Sequence, residues 1–243
     1  MRHGQLKTVA RPAFRPARPR AGMGQGALLF DLDGTMLHSD PIHLAVFADM
    51  MAPLGLDVSE DFYMTHVHGR LNVDFFAEFL PDHPDPQRLS DDKEAAFRAR
   101  LPRPYPAMAG VVALMNRARA QGWKRAVVTN AMRPNAECML DAIGLRDQFD
   151  TIIIGEECNR GKPDPEPYRA AMAALDVAPE HAIAFEDSPS GVRAAAASGA
   201  YTVGIRSSLD DATLRAAGAH VTLSDFTDPA LAPVLARLTG APQ

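Results

Sequence analysis

Two carboxylates stand close together at the end of an apolar run in "ALLFDLDGTMLHSD", residues 27–40. Asp31 ends the run, and Asp33 follows after a single leucine. An unpaired buried carboxylate costs so much free energy that such groups are usually paired, bound to a metal or engaged in catalysis. The simpler interpretation is a strand that ends in a turn, since Asp-Gly is a common turn dipeptide. The functional interpretation is favoured over the simple turn if other charged or polar residues are predicted to lie close to Asp31 and Asp33.

Polar residues also follow three later apolar runs. Thr129 and Asn130 come directly after "KRAVV" and are followed by Ala131, and Glu186 and Asp187 come directly after "AIAF". Lys162 lies in the stretch "GEECNRGK" that follows "III". If the runs are parallel strands, their carboxyl ends meet at one edge of a sheet, where ligands bind. Several carboxylates around one ammonium group predict a divalent cation with oxygen ligands, such as Mg²⁺, together with an anionic substrate.

The elements that must position these residues can be read from the apolar runs. Such runs begin at residues 27, 124, 150, 182 and 201, and they are continuous rather than alternating. Continuous runs are typical of strands buried on both faces of a parallel sheet. Helical segments separate the later runs, for example from Pro134 to a stop at Gly144. We therefore predict an α/β fold with a doubly wound parallel sheet, like a Rossmann fold.

The interval between Asp40 and Pro106 has a different character. It contains helical patterns around 42–52, 72–80 and 87–100 but no clear strand pattern. A segment of this length is too long for an ordinary loop, so we predict an inserted helical cap domain. The predicted domains are a core formed by 27–40 and 106–243, and a cap formed by 41–105.

Composition limits the class of protein. The chain has 243 residues, a hydrophobic fraction of 47% and a net charge of −5. It can bury a full core, and its charge gives no general attraction to nucleic acid or to an anionic membrane. The two cysteines are too few for a disulfide framework and favour a reducing compartment. We expect a cytoplasmic monomer that binds neither nucleic acid nor membrane.

Residues 1–26 differ from the rest because they contain six basic residues, no acidic residue and many Pro, Ala and Gly residues. A segment with so little to bury is predicted to be a disordered tail. A targeting or nucleic-acid arm and a translation start at Met23 are the alternatives, and we expect a dispensable extension.

Four motifs give the chain a family resemblance. "DLDGT", "VVTNA", "GKPDPEPY" and "FEDSPSGVRAA", in this order and with a helical insertion after the first, resemble the haloacid dehalogenase-like superfamily. The similarity is greatest to its phosphatase and β-phosphoglucomutase-like branch, and it extends over residues 27–240. It implies a Mg²⁺-dependent phosphatase of a small phosphorylated metabolite, such as a sugar or polyol phosphate. A phosphomutase is the close alternative, and a catalytically silent binding protein with the same fold is a distant one.

The resemblance also implies roles for individual residues. Asp31 is the expected nucleophile, which forms an aspartyl-phosphate. Asp33 is the expected general acid and then base, and its backbone carbonyl touches the metal. Lys162 neutralises charge on the nucleophile and the phosphoryl group. The remaining expected roles are phosphoryl binding by Thr129, Asn130 and Ala131, and metal binding by Asp31 together with Asp187, with Glu186 as a further or water-mediated ligand.

Substrate contacts from the cap are expected at His43, near the hinge, and at Gly69 and Arg70, in a loop that determines specificity in this family. Sugar-phosphate mutases of the branch hold a second phosphate with an arginine three residues after the loop glycine. Asn72 stands at that position, and it cannot clamp a phosphate with a charged fork. The resemblance therefore favours a hydrolase over a mutase.

Overall fold

The computed structural model describes residues 26–68, 70 and 72–239. The predicted basic tail, 1–26, lies outside the described residues except for its last residue. The carbonyl of Gly26 accepts a hydrogen bond from the backbone N–H of Lys124 at 2.9 Å, and Gly26 is buried. At this residue, therefore, the chain already belongs to the core.

The core contains a sheet of six parallel strands. The strands are β1 (Ala27–Phe30), β2 (Lys124–Thr129), β3 (Thr151–Ile154), β4 (Ala182–Glu186), β5 (Tyr201–Ile205) and β6 (Val221–Leu223). Their order across the sheet is β3-β2-β1-β4-β5-β6. Successive strands are therefore added on one side of β1 up to β3 and on its other side from β4 onward. The predicted doubly wound α/β fold is confirmed. The sequence pattern indicated the first five strands, whereas the three residues of β6 are too short a run to be recognised.

Ten α-helices are found in the described part of the chain. They are α1 (Asp40–Met51), α2 (Glu60–His66), α3 (Asn72–Phe79), α4 (Pro86–Arg100), α5 (Val111–Gln121), α6 (Arg133–Ala142), α7 (Glu166–Leu175), α8 (Pro189–Ser198), α9 (Asp211–Ala217) and α10 (Leu231–Ala236). Helices α2, α5, α9 and α10 are not among the segments predicted from the sequence. Helix α2 has only seven residues, although Ser59 caps its first turn by accepting from the N–H of Phe62. None of the helices within the described residues combines the length and apolar character that a membrane span requires.

Both faces of the sheet are buried, which explains the continuous apolar runs. Within β1, Leu28 and Phe30 belong to one apolar cluster, while Ala27 and Leu29 belong to another on the opposite face. Phe30 stacks on Phe185 of β4 with ring centroids 5.1 Å apart. Since alternate side chains point to opposite faces of a strand, a strand covered by helices on both sides can be apolar at every position, as β1 is.

Helices α1 to α4 lie between β1 and β2 along the chain and contain a separate apolar cluster. Phe47, Phe75 and Phe76 are almost completely buried in it. The cluster is consistent with the proposed cap, for which we keep the bounds 41–105. Because a short connection after β1 leads into this segment, the cap is joined to the core at the sheet edge where the polar residues are gathered.

Replacing Phe30 tests how far the stability of the core depends on the centre of the sheet. Phe30→Ala removes a fully buried ring from between the sheet and the helices that cover one of its faces. We expect a loss of about 3–5 kcal/mol in the free energy of unfolding, measured by urea titration. The control is Val112→Ala on α5, where the side chain is 44% exposed and the loss should stay below about 0.5 kcal/mol. Equal losses in the two variants would contradict the assignment of the core.

Candidate active site

The carboxyl ends of β1, β2 and β4 bring the predicted residues to one edge of the sheet. Asp31 follows β1 directly, and its backbone N–H donates to the carbonyl of Phe185 at 2.9 Å, which continues the pairing with β4. Asp187 follows β4 in the same way, and Thr129 is the last residue of β2. The neighbouring strands β1 and β4 are where the sheet order reverses, which is where ligands bind in such folds.

Lys162 forms the centre of a buried group of charges. Its Nζ atom lies 2.7 Å from Oδ1 of Asp31 and 2.5 Å from Oε1 of Glu186, and its side chain is only 3% exposed. Burial opposes the charged form, but the Asp31 and Glu186 carboxylates outweigh it and raise the pKa of Lys162. The hydroxyl of Tyr168 also donates to Oε1 of Glu186, at 2.6 Å. The ammonium is therefore held between two carboxylates, and Tyr168 holds the second of them.

Three buried carboxylates meet at this point, those of Asp31, Glu186 and Asp187. Each offers an oxygen, and these oxygens lie within 4.8 Å of one another. Burial raises the pKa of Asp31 to about 7, although the Lys162 charge opposes the change. Burial, together with the Asp31 and Glu186 charges, also raises the pKa of Asp187 well above its usual value. The all-oxygen donors and the excess of negative charge over the one ammonium group fit a hard divalent cation such as Mg²⁺.

Two glycines make room for these carboxylates. Gly34 has a φ of +77°, and a Cβ atom there would overlap Oδ2 of Asp187. A Cβ atom at Gly191, in the first turn of α8, would overlap the carboxylate of Glu186. The glycines in "DLDGT" and "SPSG" are therefore required by the close approach of backbone and carboxylate.

Thr129 and Asn130, at the end of β2, both line the cavity but have different hydrogen-bond partners. The Thr129 hydroxyl accepts from the N–H of Ala131 at 3.1 Å, so its own proton is free to be donated to a ligand. The side chain of Asn130 pairs with the backbone of Lys162, donating to its carbonyl and accepting from its N–H, both at 3.1 Å. Asn130 therefore positions the Lys162 segment, which leaves Thr129 as the nearby side chain that is free to donate.

The Asp33 carboxylate turns toward the cap. Its Oδ2 atom lies 3.1 Å from Nε2 of His43, and Nδ1 of the same ring lies 2.8 Å from Nζ of Lys93. A lysine ammonium has only donors, so Nδ1 must accept and Nε2 must carry the proton that it donates to Asp33. The His43 ring is also stacked on Phe97, with centroids 3.9 Å apart. Helices α1 and α4 together therefore orient Asp33.

Glu94 extends this network back to the core. Its Oε1 atom accepts from Lys93 at 2.9 Å and from Asn72 at 2.7 Å, and its Oε2 atom accepts from the amide of Asn135 on α6. Burial by itself would raise the pKa of Glu94, but the Lys93 ammonium, with His43 and Asn72, lowers it overall. The cap and the core are thus joined through an ionised Glu94.

Of the two loop residues predicted to bind substrate, Gly69 and Arg70, the structure describes only Arg70. Gly69 lies outside the described residues. The guanidinium of Arg70 is paired with Glu78 at 2.6 Å and also donates to the carbonyl of Asp74 at 3.0 Å. Arg70 lines the cavity between core and cap, which has a volume of about 390 Å³, but its charge is already matched.

Four residues of this site were not predicted from the sequence, namely Lys93, Glu94, Asn135 and Tyr168. Tyr168 ends the motif "GKPDPEPY", which was quoted without a role for that residue. Lys93 is the only lysine between Asp40 and Pro106, and it lies on the same face of α4 as Phe97, four residues later. Those two signals were available in the sequence, whereas we find none for Glu94 or Asn135.

Comparison with known proteins agrees with this geometry. Validoxylamine A 7'-phosphate phosphatase of Streptomyces hygroscopicus subsp. limoneus is 32% identical over 82% of this chain and 93% of its own. A phosphorylated carbohydrates phosphatase of Thermotoga maritima is 29% identical over 76% of this chain and 87% of its own. The crystal structure of CbbY from Rhodobacter sphaeroides in complex with phosphate matches with a TM-score of 0.71 and 29% identity, covering 83% of this chain and 95% of that one.

A family model for the haloacid dehalogenase-like hydrolases matches residues 26–199, which is more than half of the chain. Those residues contain Asp31, Asp33, Lys162 and the acidic pair at 186–187. The chain thus belongs to the haloacid dehalogenase-like hydrolase family, and the predicted class of enzyme, a phosphoric monoester hydrolase, is confirmed.

Proposed function

We propose that the protein is a Mg²⁺-dependent phosphatase of small phosphorylated metabolites, of the sugar or polyol phosphate type, and that it acts through an aspartyl-phosphate. The observation that carries the proposal is the position of Asp31, which is bonded to Lys162 and faces the cavity that also contains Asp33 and Thr129. The names of the relatives in Streptomyces and Thermotoga support phosphorylated carbohydrates and similar compounds as substrates.

In the first step, a carboxylate oxygen of Asp31 attacks phosphorus and the bond from phosphorus to the ester oxygen breaks. Lys162 holds Oδ1 of Asp31 and opposes the negative charge that gathers there. His43 donates to Oδ2 of Asp33, which leaves Oδ1 of Asp33 to carry the proton that the departing alcohol receives. The Thr129 hydroxyl donates a hydrogen bond to a phosphoryl oxygen.

In the second step, Asp33 takes a proton from water, and that water attacks phosphorus and releases Asp31 and inorganic phosphate. Asp31, Asp187 and Glu186 would hold Mg²⁺, with the backbone of Asp33 as a further ligand. When bound, the ion supplies positive charge that keeps the carboxylates ionised and stabilises the phosphoryl group. Thr35 and Ser207 orient Asp187 by donating to its oxygens at 3.5 and 3.3 Å.

Hydrolysis is favoured over phosphoryl transfer between positions of a sugar. A mutase must hold a bisphosphorylated intermediate by its second phosphate, which requires an available cation in the cap. The Asn72 amide is bonded to Glu94 and Ser90, while Arg70 and Lys93 are each paired with a carboxylate. The dephosphorylated product is therefore expected to leave before water attacks. A cytoplasmic location and a monomeric state stay predictions.

Replacing the nucleophile tests the mechanism. Asp31→Asn keeps the shape of the side chain but removes the attacking charge, so we expect phosphate release to fall by at least about a thousandfold. The measurement is phosphate release from p-nitrophenyl phosphate with Mg²⁺, together with a melting curve to establish folding. Asp147→Asn, an exposed carboxylate outside the cavity, is the control and should keep full activity. Substantial activity in a folded Asp31→Asn enzyme would exclude the aspartyl-phosphate route, and an inactive wild-type enzyme would favour the silent binding protein.

Metal removal tests the role of the three carboxylates. Dialysis against a chelator should stop phosphate release, and Mg²⁺ should restore it and raise the melting temperature of the wild-type protein by several degrees. Asp187→Asn removes one of three crowded charges, so without metal its melting temperature should equal or exceed that of the wild type. Mg²⁺ should then stabilise this variant much less. An equal increase in both proteins would mean that the ion binds elsewhere.

The choice between hydrolase and mutase can be tested with β-glucose 1-phosphate. Without a cap cation to retain an intermediate, the enzyme should release free phosphate with Mg²⁺ alone and need no bisphosphate activator. Glucose and glucose 6-phosphate are measured in the same reaction. Formation of glucose 6-phosphate faster than release of phosphate would establish the mutase instead.

A further inference from the structure

The cap side of the cavity has its positive charges already paired. Arg70 and Lys93 are the cap lysine and arginine residues among the described residues that line the cavity. Arg70 contacts Glu78, and Lys93 contacts Glu94 and lies over the Phe47 ring, 5.1 Å from its centroid. Because a carboxylate already offsets each of these positive charges, an anionic group of a substrate would gain little net attraction there.

Two ionised carboxylates line the same side of the cavity, those of Asp40 and Glu94. Burial opposes ionisation of Asp40, but hydrogen bonds from His68 and Tyr63 lower its pKa overall. Lys93 likewise holds Glu94 in its ionised form. Asp40 lies beside His68 and Glu94 beside Lys93, so a second phosphate or a carboxylate of the substrate would lose its hydration there without meeting an unmatched positive charge. Burying a charge without a partner costs a large amount of free energy.

Glu94 also has capacity for one more hydrogen bond. A carboxylate offers about four acceptor positions. Lys93 and Asn72 use two on Oε1, and Asn135 uses one on Oε2. Its side chain is 12% exposed, and that exposure is toward the cavity that it lines. The remaining acceptor position suits a hydroxyl group, and the neighbouring Ser90 and Gln87 are uncharged polar groups of the kind that hold one.

We propose that Glu94 determines substrate specificity, accepting a hydrogen bond from a substrate hydroxyl and excluding compounds with a second anionic group. The preferred substrates are phosphate monoesters of uncharged polyhydroxy compounds. This inference rests on the proposed phosphatase function, because the phosphate must occupy the Asp31 end of the cavity for the rest of the molecule to reach Glu94.

Matched pairs of substrates test the proposal. Values of kcat/KM for phosphate release with Mg²⁺ are measured for fructose 1-phosphate against fructose 1,6-bisphosphate, and for glycerol 3-phosphate against 3-phosphoglycerate. The wild-type enzyme should favour the first member of each pair by at least about tenfold, since a charge buried without a partner has at least this effect. Glu94→Gln should reduce the preference severalfold, because it slows the hydroxylated monophosphate and leaves Lys93 available to the second anionic group of the competitor.

The control is Asp92→Asn, which removes a carboxylate from the same helix where the side chain is 63% exposed to solvent. It should keep the wild-type preference. Asn72→Arg is a second variant that retains Glu94 but places a guanidinium beside it, and it should also improve use of the bisphosphate. If melting curves show that Glu94→Gln is unfolded, the Asn72→Arg variant alone tests the proposed role of Glu94.

The outcomes separate the two proposals. Failure of the wild-type enzyme to release phosphate even from p-nitrophenyl phosphate would contradict the phosphatase function. Release from that compound, with equal use of both members of each pair, would overturn the role of Glu94 alone. A preference that both folded variants leave unchanged would overturn it as well.

Discussion

The balance of charge around Lys162 is the constraint on which the rest of the site depends. One buried ammonium group faces the carboxylates of Asp31 and Glu186, and a third carboxylate, that of Asp187, lies beside them. Breaking a buried pair by removing one partner leaves an uncompensated charge, which is strongly destabilising. The surrounding residues preserve the arrangement, because Asn130 fixes the backbone of Lys162. The remaining excess of negative charge is what makes the site suited to a divalent cation.

In the cap, Lys93 links a residue near the proposed catalytic groups to the residue proposed to bind the substrate hydroxyl. Lys93 contacts both His43, which orients Asp33, and Glu94, which faces the cavity. Since Glu94 also accepts from Asn135 of the core, the network is complete only when the cap lies against the core as it does here. The group proposed to transfer protons and the group proposed to recognise the substrate are therefore positioned by the same lysine.

The candidate catalytic residues and the residue proposed to select the substrate lie on different parts of the molecule. The motifs at the strand ends lie on the edge of a sheet buried on both faces, within the residues that match the family model. The residues proposed to select the substrate lie on cap helices α3 and α4, outside the sheet. A fold supports many functions because such sites can change independently of the scaffold. Relatives with similar cores can therefore act on different phosphorylated compounds.

The sequence by itself determined the sheet, the edge at which polar residues gather and the paired acids, because each depends on a local pattern of apolar runs and the residues that end them. It did not indicate β6, α2, α9 or α10, whose runs are too short for a period to appear, and it also missed the longer helix α5. Only the tertiary structure decided that Arg70 is matched by Glu78 and that Lys93 meets His43, fifty positions away. Pairing of charges between distant residues depends on how the cap helices pack together and against the core, and no local pattern in the chain records that packing.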